Sequence, residues 1–446
     1  MTVPPITWDL GEIAAVTGGT VVGDDSSIVT DVTIDSRTVP TGAVFVALRG
    51  ERHDAHAFVS DAIVEGATAV VVERGRGIEV APRIEVDNTT TALRDIGALR
   101  RAQLRLPTAA VTGSTGKTST KDLLAAVLPA AWASPRSFNN EVGVPLTILR
   151  TPRDARHLVV EVGSRGPGHI AWLGPVIRPD VAVVTNLGVV HLETFGTTDA
   201  LAESKWELVE LLGANGTAVL PVDEPRLDRR HRGTTITFGI GRGDVRVEKI
   251  VTDAGGKPSF DLVADGQQTR VSLQMAGAHQ AINAAAATAA SIALGVTFTR
   301  IADGLEKATG SAWRMEVHSG RFTVVNDAYN ANPQSMDGAL RTVSAMPGRH
   351  LAVLGEMAEL GPVTGAEHER VGRLVRELGF AAVITVGDDH GMAHAAGDIA
   401  ESIESAEAAL EAVRRHLRDG DVVLVKASRA VGLEALAADL VAEAAS

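Results

Sequence analysis

Apolar residues along this 446-residue chain fall into two recurring patterns. Short continuous runs of Val, Ile and Ala predict buried strands, and segments with apolar positions three and four apart predict helices. In residues 1–106, "GGTVVG", "VTIDSR", "GAVFVAL" and "ATAVVVE" predict strands, with a helix over "DAHAFVSDAIVEGA" between the last two. Pro107 follows the basic, helix-like "ALRDIGALRRAQLRL" and marks a boundary. In residues 107–310, strands are predicted at "TAAVTG", "HLVVEVG", "VAVVTNLG" and "TAVLPVD". Helices are predicted at "TKDLLAAVL" and "DALAESKWELVELL", a hairpin at "SFDLVADGQQTRVSLQMAG", and an Ala-rich helix at "HQAINAAAATAASIALG" closed by Gly295. Residues 311–446 repeat the theme with strands "RFTVVND", "HLAVLGEM", "AAVITVG" and "DVVLVKAS" and a last helix in "AVGLEALAADLVAEAA".

This alternation predicts an α/β chain of three domains. A small N-terminal α/β domain precedes a central, mostly parallel sheet and a Rossmann-like C-terminal domain, with ligands at the strands' carboxyl ends. Composition narrows the class. Cysteine is absent, which excludes disulfides and thiolate chemistry and fits a reducing compartment. The net charge of −13 argues against a nucleic-acid surface. No run reaches the roughly 18 apolar residues of a membrane helix, and the N-terminus has no secretory pattern. A cytoplasmic protein acting as a monomer is expected.

The candidate chemistry begins at "TGSTGKTST". The full phosphate-loop pattern has four residues between its glycines; here the first glycine is Gly113, and Val111 stands where the longer form has Gly. A strand before and a helix after allow backbone N–H groups of Gly113, Ser114, Thr115, Gly116, Lys117, Thr118 and Ser119 to face phosphate at a helix N-terminus. Lys117 would neutralise phosphate charge and the Thr118 hydroxyl would ligate Mg²⁺. A Gly-rich strand-to-helix turn with a solvated lysine fits the same residues. Glu161 and Asn186 close apolar strands, and His191 follows five residues later. A carboxylate at a buried strand tip needs a metal or an ion-pair partner; Arg165 is an alternative partner for Glu161, and a packed loop histidine is the alternative for His191. Lys205, on a helix, reads as a solvated surface group. Arg314 follows the second boundary, and Asp327, Tyr329, Asn330 and Asn332 crowd a strand-to-helix loop, a pattern that Asn/Asp-rich turns also produce.

Taken together these residues resemble the Mur ligases, ATP-dependent amide-forming enzymes of peptidoglycan precursor synthesis. "FNNEVGVPLTIL", "NDAYNANPQSMDGAL" and "LGEMAELG" are most similar to the last ligase of that series, which joins D-alanyl-D-alanine to UDP-N-acetylmuramoyl-tripeptide. The resemblance implies a UDP-sugar domain over 1–106, an ATP domain over 107–310 and a closing domain for the amino substrate over 311–446. It implies ATP and two Mg²⁺ ions, with Thr118 and Glu161 at the first and His191 and Lys205 at the second. Lys205 would be carbamylated, which reverses its surface reading. Asn283 would contact the nucleotide near adenine, and Arg314, Asp327 and Asn330 would close on the phosphates or ribose. Ser36 and Arg37, with Asn139, Asn140 and Glu141, would face the UDP-sugar substrate, and Ser428 and Arg429 the dipeptide. A third-residue-adding ligase would show a His-Thr-Pro-like loop and an Asp-Asn-Pro-Arg motif, and neither is present. The rivals that stay open are another amide ligase of the superfamily, third-residue-adding or a folylpolyglutamate synthase, and a phosphate-loop ATPase without ligase chemistry. The ATPase would need no UDP-sugar domain.

Overall fold

The computed structural model describes residues 2–446 apart from 51–52, 189–191 and 389. The apolar runs become strands, as their β-branched content and continuous burial require. The architecture is mixed α/β, with several parallel-rich sheets. Among the described residues, no helix is long and apolar enough to cross a membrane.

The chain forms two compact units. The first takes residues up to Ala110 together with Pro129–Gly163 and His169–Asp180. Its five-stranded sheet runs in the order Thr20–Val22, Arg83–Val86, Ala69–Glu73, Ala43–Val46, Asp31–Thr33. Only the edge strand Thr20–Val22 is antiparallel. The helix Thr89–Gln103, capped by the Asn88 side chain, packs on the helices Gly143–Leu149 and His169–Ile177. One core therefore holds Leu93 and Ile96 with Leu146 and Leu149. That shared core cuts across the block boundary expected at Pro107: residues 129–163 and 169–180 bury their apolar faces against the first block. The predicted helix over 54–67 is also shorter, a 3₁₀ turn at Ala55–Phe58 followed by Val59–Val64.

The second unit holds Val111–Leu128, Ser164–Gly168 and Val181–Ser446. Strand Val181–Val184 pairs in parallel with Thr217–Pro221, which pairs in parallel with Thr234–Ile240. The predicted hairpin is Pro258–Ala264 with Gln267–Ser272. Its two-residue Asp265–Gly266 turn has φ of +49° and +72°, the left-handed pair that an Asp-Gly hairpin turn uses. The Ala-rich helix spans Gln280–Ala293 and is buried along most of its length. Residues from 316 onward build a six-stranded sheet in the order Glu316–Ser319, Thr323–Asn326, Val422–Lys426, His350–Gly355, Ala382–Val386, Ala400–Ile403. Five strands are parallel, and Glu316–Ser319 is the antiparallel edge. Separate apolar clusters cover its two faces, so it is doubly wound, and its strands' carboxyl ends carry Asp327, Glu356 and Ala427–Ser428 to one edge.

Candidate active site

The loop after strand Thr108–Thr112 can lie where it does only because residue 113 has no side chain. Gly113 has φ +142°, and a Cβ there would lie 1.9 Å from Thr185 Oγ1. Thr185 donates its hydroxyl to the Thr115 carbonyl at 2.5 Å. Thr115 N–H reaches Asn186 Oδ1 at 2.9 Å and Ser114 N–H reaches the Asn186 carbonyl at 3.1 Å. The end of strand Val181–Val184 thus shapes the loop from below. Gly116, at φ +77°, opens the helix Lys117–Val127 without a capping side chain. Lys117 curls over the loop and donates to the carbonyls of Gly113 (2.7 Å) and Ser114 (3.1 Å). Thr118 and Ser119 are buried. Gln280 reaches Ser119 Oγ at 3.4 Å and accepts from Asn283 Nδ2 at 2.8 Å. Asn283 therefore belongs to the same cradle, its amide oxygen lying against the Gly116 backbone. A backbone-lined loop with a lysine at a helix N-terminus is built for phosphate.

Lys205 is fully buried on the helix Thr198–Glu210, the opposite of its surface reading. Its ammonium lies 6.0 Å from the Phe195 ring centroid. Burial, and next the positive Lys117, push the amine down to about 7. The helix periodicity holds the cause: Leu201, Ala202, Leu208 and Val209 share its buried face, so position 205 turns inward. Glu161, in the first unit, is 1% exposed. Its Oε1 accepts from Asn139 Nδ2 at 2.7 Å, so Arg165 is not what holds that oxygen. Its Oε2 has no hydrogen-bond partner among the described residues. An orphaned buried carboxylate oxygen fits a divalent cation, which prefers hard oxygen ligands. Among the described residues no three His, Asp or Glu side chains cluster as a metal site; the expected ligand set rests on a threonine and a lysine as well, and His191 lies outside the described residues.

A second group gathers at the carboxyl edge of the last sheet. Arg314 sits between Trp313 (φ +61°) and Met315 (φ +51°), two non-glycine residues in the left-handed region, a strain of the kind that clusters at functional sites. Its guanidinium lies 4.1 Å over the Tyr329 ring. Asp327 is engaged on both oxygens: Oδ1 accepts from Met315 N–H at 3.1 Å and Oδ2 from Lys426 Nζ at 2.6 Å. Lys426 also donates to the Asn330 carbonyl at 2.7 Å. Asp327 thereby fixes the Arg314 segment to the sheet. Arg429 stacks 4.7 Å over Trp313, and Ser428 Oγ accepts from Ala358 N–H at 2.8 Å. From the other side, Asp122 on the phosphate-loop helix accepts both Ser311 N–H (2.9 Å) and its hydroxyl (2.7 Å).

The remaining predicted residues lie in the first unit. Arg37 is exposed and forms a two-bond pair with Asp35, which holds that carboxyl down to about 2; Ser36 lies between them. Asn140 Oδ1 accepts from Val142 and Gly143 N–H at 3.2 and 2.8 Å, starting the helix Gly143–Leu149. Glu141 faces His169 at 3.6 Å. Sequence reasoning missed Asp122, Gln334 and Lys426. Of these, Lys426 carried a signal, a charged residue closing the apolar run "DVVLVK", as Glu161 closes "HLVVE".

Residues 111–291 match the Mur ligase middle domain, 313–429 the Mur ligase glutamate ligase domain, and 28–101 the Mur ligase catalytic domain. The UDP-N-acetylmuramoyl-tripeptide–D-alanyl-D-alanine ligase of Mycobacterium tuberculosis is 36% identical, with 98% of each chain covered. The crystal structure of MurF from Acinetobacter baumannii superposes with a TM-score of 0.90 at 30% identity, covering 99% of this chain and all of that one. MurF from Thermotoga maritima, solved in complex with ADP, gives 0.83 at 29% identity over 93% of this chain and 97% of that one.

Two outcomes follow from this geometry. Gly113→Ala is expected to keep the fold by circular dichroism yet weaken ADP binding at least about tenfold in calorimetry, because the added methyl must displace Thr185. Lys205 has a folded pKa near 7 against about 10.4 unfolded, so the folded chain binds fewer protons than the unfolded chain between those values. Its burial penalty is complete below about pH 7 and fades as pH rises towards 10. Lys205→Met is therefore expected to melt several degrees above the parent at pH 6, with the gap closing at pH 9 in paired thermal scans.

Proposed function

The chain belongs to the Mur ligase family, and on that premise we propose that it joins D-alanyl-D-alanine to UDP-N-acetylmuramoyl-tripeptide, consuming ATP. The observation that carries this reading is the full-length match to ligases of that one step, with the phosphate loop intact at Gly113–Thr118. Residues 1–106 take the UDP-sugar through Ser36 and Arg37, and Asn139, Asn140 and Glu141, which share the first unit, complete its contacts. Residues 107–310 take ATP, and 311–446 bring the dipeptide past Ser428 and Arg429 and close the site.

A carboxylate cannot acylate an amine directly, because oxide would have to leave. The peptide carboxylate oxygen instead attacks the γ-phosphorus and ADP departs, giving an acyl phosphate. The dipeptide amine then attacks the acyl carbon, the tetrahedral intermediate collapses, and phosphate leaves with one oxygen of the original carboxylate. Both partners of the first step are anionic. Loop N–H groups, Lys117 and Arg314 lower that repulsion, and their donors are held in place before the charge develops. Asn283 contacts the nucleotide from beside Gly116, and Asp327 fixes the Arg314 segment, with Lys426 tying Asn330 to it. Magnesium ions, when bound, would neutralise phosphate charge. Thr118 and Glu161 would hold one, and His191 and Lys205 the other. A buried amine flanked by Lys117 favours its neutral form, the form that adds carbon dioxide; the resulting carbamate turns a cation into an oxygen ligand. Closure around Arg314 would keep water from the acyl phosphate. In this reading the enzyme acts as a monomer in the cytoplasm, a location that its nucleotide-linked substrate supports.

Incubation with Mg-ATP, UDP-N-acetylmuramoyl-tripeptide and D-alanyl-D-alanine should yield the pentapeptide by mass spectrometry, with one phosphate released per product. Lys117→Ala should lower turnover at least about a hundredfold with the chain still folded. Phosphate release indifferent to both co-substrates would instead assign a plain ATPase.

A further inference from the structure

Gln334 occupies a place that no catalytic role described above uses. It is the second residue of the helix Pro333–Ser344, which begins with an Asn332–Ser335 capping box. Its side chain reaches the phosphate loop: Oε1 lies 3.1 Å from Thr115 Oγ1. A Cβ on Gly188 would come within 2.6 Å of the same oxygen, so the amide lies flat on that backbone.

The direction of each hydrogen bond around Thr115 can be deduced. The Thr115 backbone N–H is a donor only, so the Asn186 atom 2.9 Å from it is the amide oxygen. The Asn186 amide nitrogen must then face Thr115 Oγ1, at 2.6 Å, and donates to it. A threonine hydroxyl has one hydrogen. Gln334 Oε1 is an acceptor only, so that hydrogen goes to it. A phosphate oxygen is also an acceptor only, and it needs the same hydrogen if Thr115 is to bind it.

We propose that Gln334 senses occupancy of the phosphate loop by competing with nucleotide phosphate for the single hydroxyl hydrogen of Thr115, so that nucleotide binding releases the first turn of the helix Pro333–Ser344. The inference rests on the reading of the loop as a nucleotide site. Release matters for the reaction because Asp327, just before this helix, holds the Arg314 segment through the Met315 N–H, and Lys426 ties Asp327 to the Asn330 carbonyl. The coupling is reciprocal: whatever nucleotide does to the latch, the latch does to nucleotide affinity.

Gln334 is exposed, so Gln334→Leu removes the acceptor without disturbing a core. Calorimetry with Mg-ADP and with a non-hydrolysable ATP analogue should show the variant binding about 2- to 10-fold tighter, the worth of one net hydrogen bond. Hydrogen exchange at residues 334–338 should speed up when nucleotide binds the parent and stay unchanged when it binds Gln334→Leu. In a Thr115→Val background, Gln334→Leu should change nothing further, since no hydrogen remains to compete for. Tighter binding confined to the triphosphate analogue would assign the competition to the γ-phosphate, and tighter binding of both to the β-phosphate. Equal affinity within twofold, or weaker binding by Gln334→Leu, overturns the inference. A parent that binds nucleotide but forms no pentapeptide would sink the ligase reading alone.

Discussion

The phosphate loop hangs on how closely the Gly113 backbone approaches Thr185. A strand that ends in Thr185–Asn186 offers one hydroxyl and one amide to a loop that has no side chain at the point of contact. Those two groups satisfy loop N–H and C=O groups that would otherwise be orphaned beside the sheet. The helix N-terminus that follows is then turned towards the place an anion would take. Lys117 answers the resulting geometry by folding onto the loop carbonyls, and Asn283 supports it from the Ala-rich helix. Shape and charge at this site are thus two consequences of one steric constraint.

Charged groups are also buried where a stable core alone would not put them. Glu161, Lys205, Asp327 and Lys426 are all largely withdrawn from water. Asp327 and Lys426 pair with each other, which offsets their desolvation and fixes the strained segment carrying Arg314. Glu161 and Lys205 are each left in a costly state. One keeps an orphaned oxygen and the other is driven towards its neutral amine by burial. Those are the states that a cation and a carbon dioxide adduct would relieve. Under the proposed function both positions would cost stability until those ligands arrive, a common relation between stability and function.

Much of this was legible in the sequence, for identifiable reasons. Buried parallel strands are continuous apolar runs, so "TAAVTG", "VAVVTNLG" and "DVVLVKAS" announce themselves, and "ADGQ" specifies its hairpin turn. The phosphate loop was visible because the chemistry needs Gly, Lys and Thr at fixed spacing. The burial of Lys205 was not, since a lysine on an amphipathic helix normally faces water; only the family resemblance turned it inward. The joining of residues 129–163 to the first unit was also hidden, because a packing face carries no label of its partner. Gln334 and Asp122 act through contacts 219 and 189 residues away in sequence, and no local pattern encodes such a distance.

The claim that joins these observations is that ATP activates a carboxylate. It is tested most directly by labelling the tripeptide's terminal carboxylate with ¹⁸O and analysing the released phosphate by mass spectrometry. Acyl-phosphate formation predicts one ¹⁸O atom in the phosphate for each pentapeptide made. Unlabelled phosphate alongside pentapeptide would mean that the carboxylate oxygen never bonded to phosphorus, and the account of the site would be wrong.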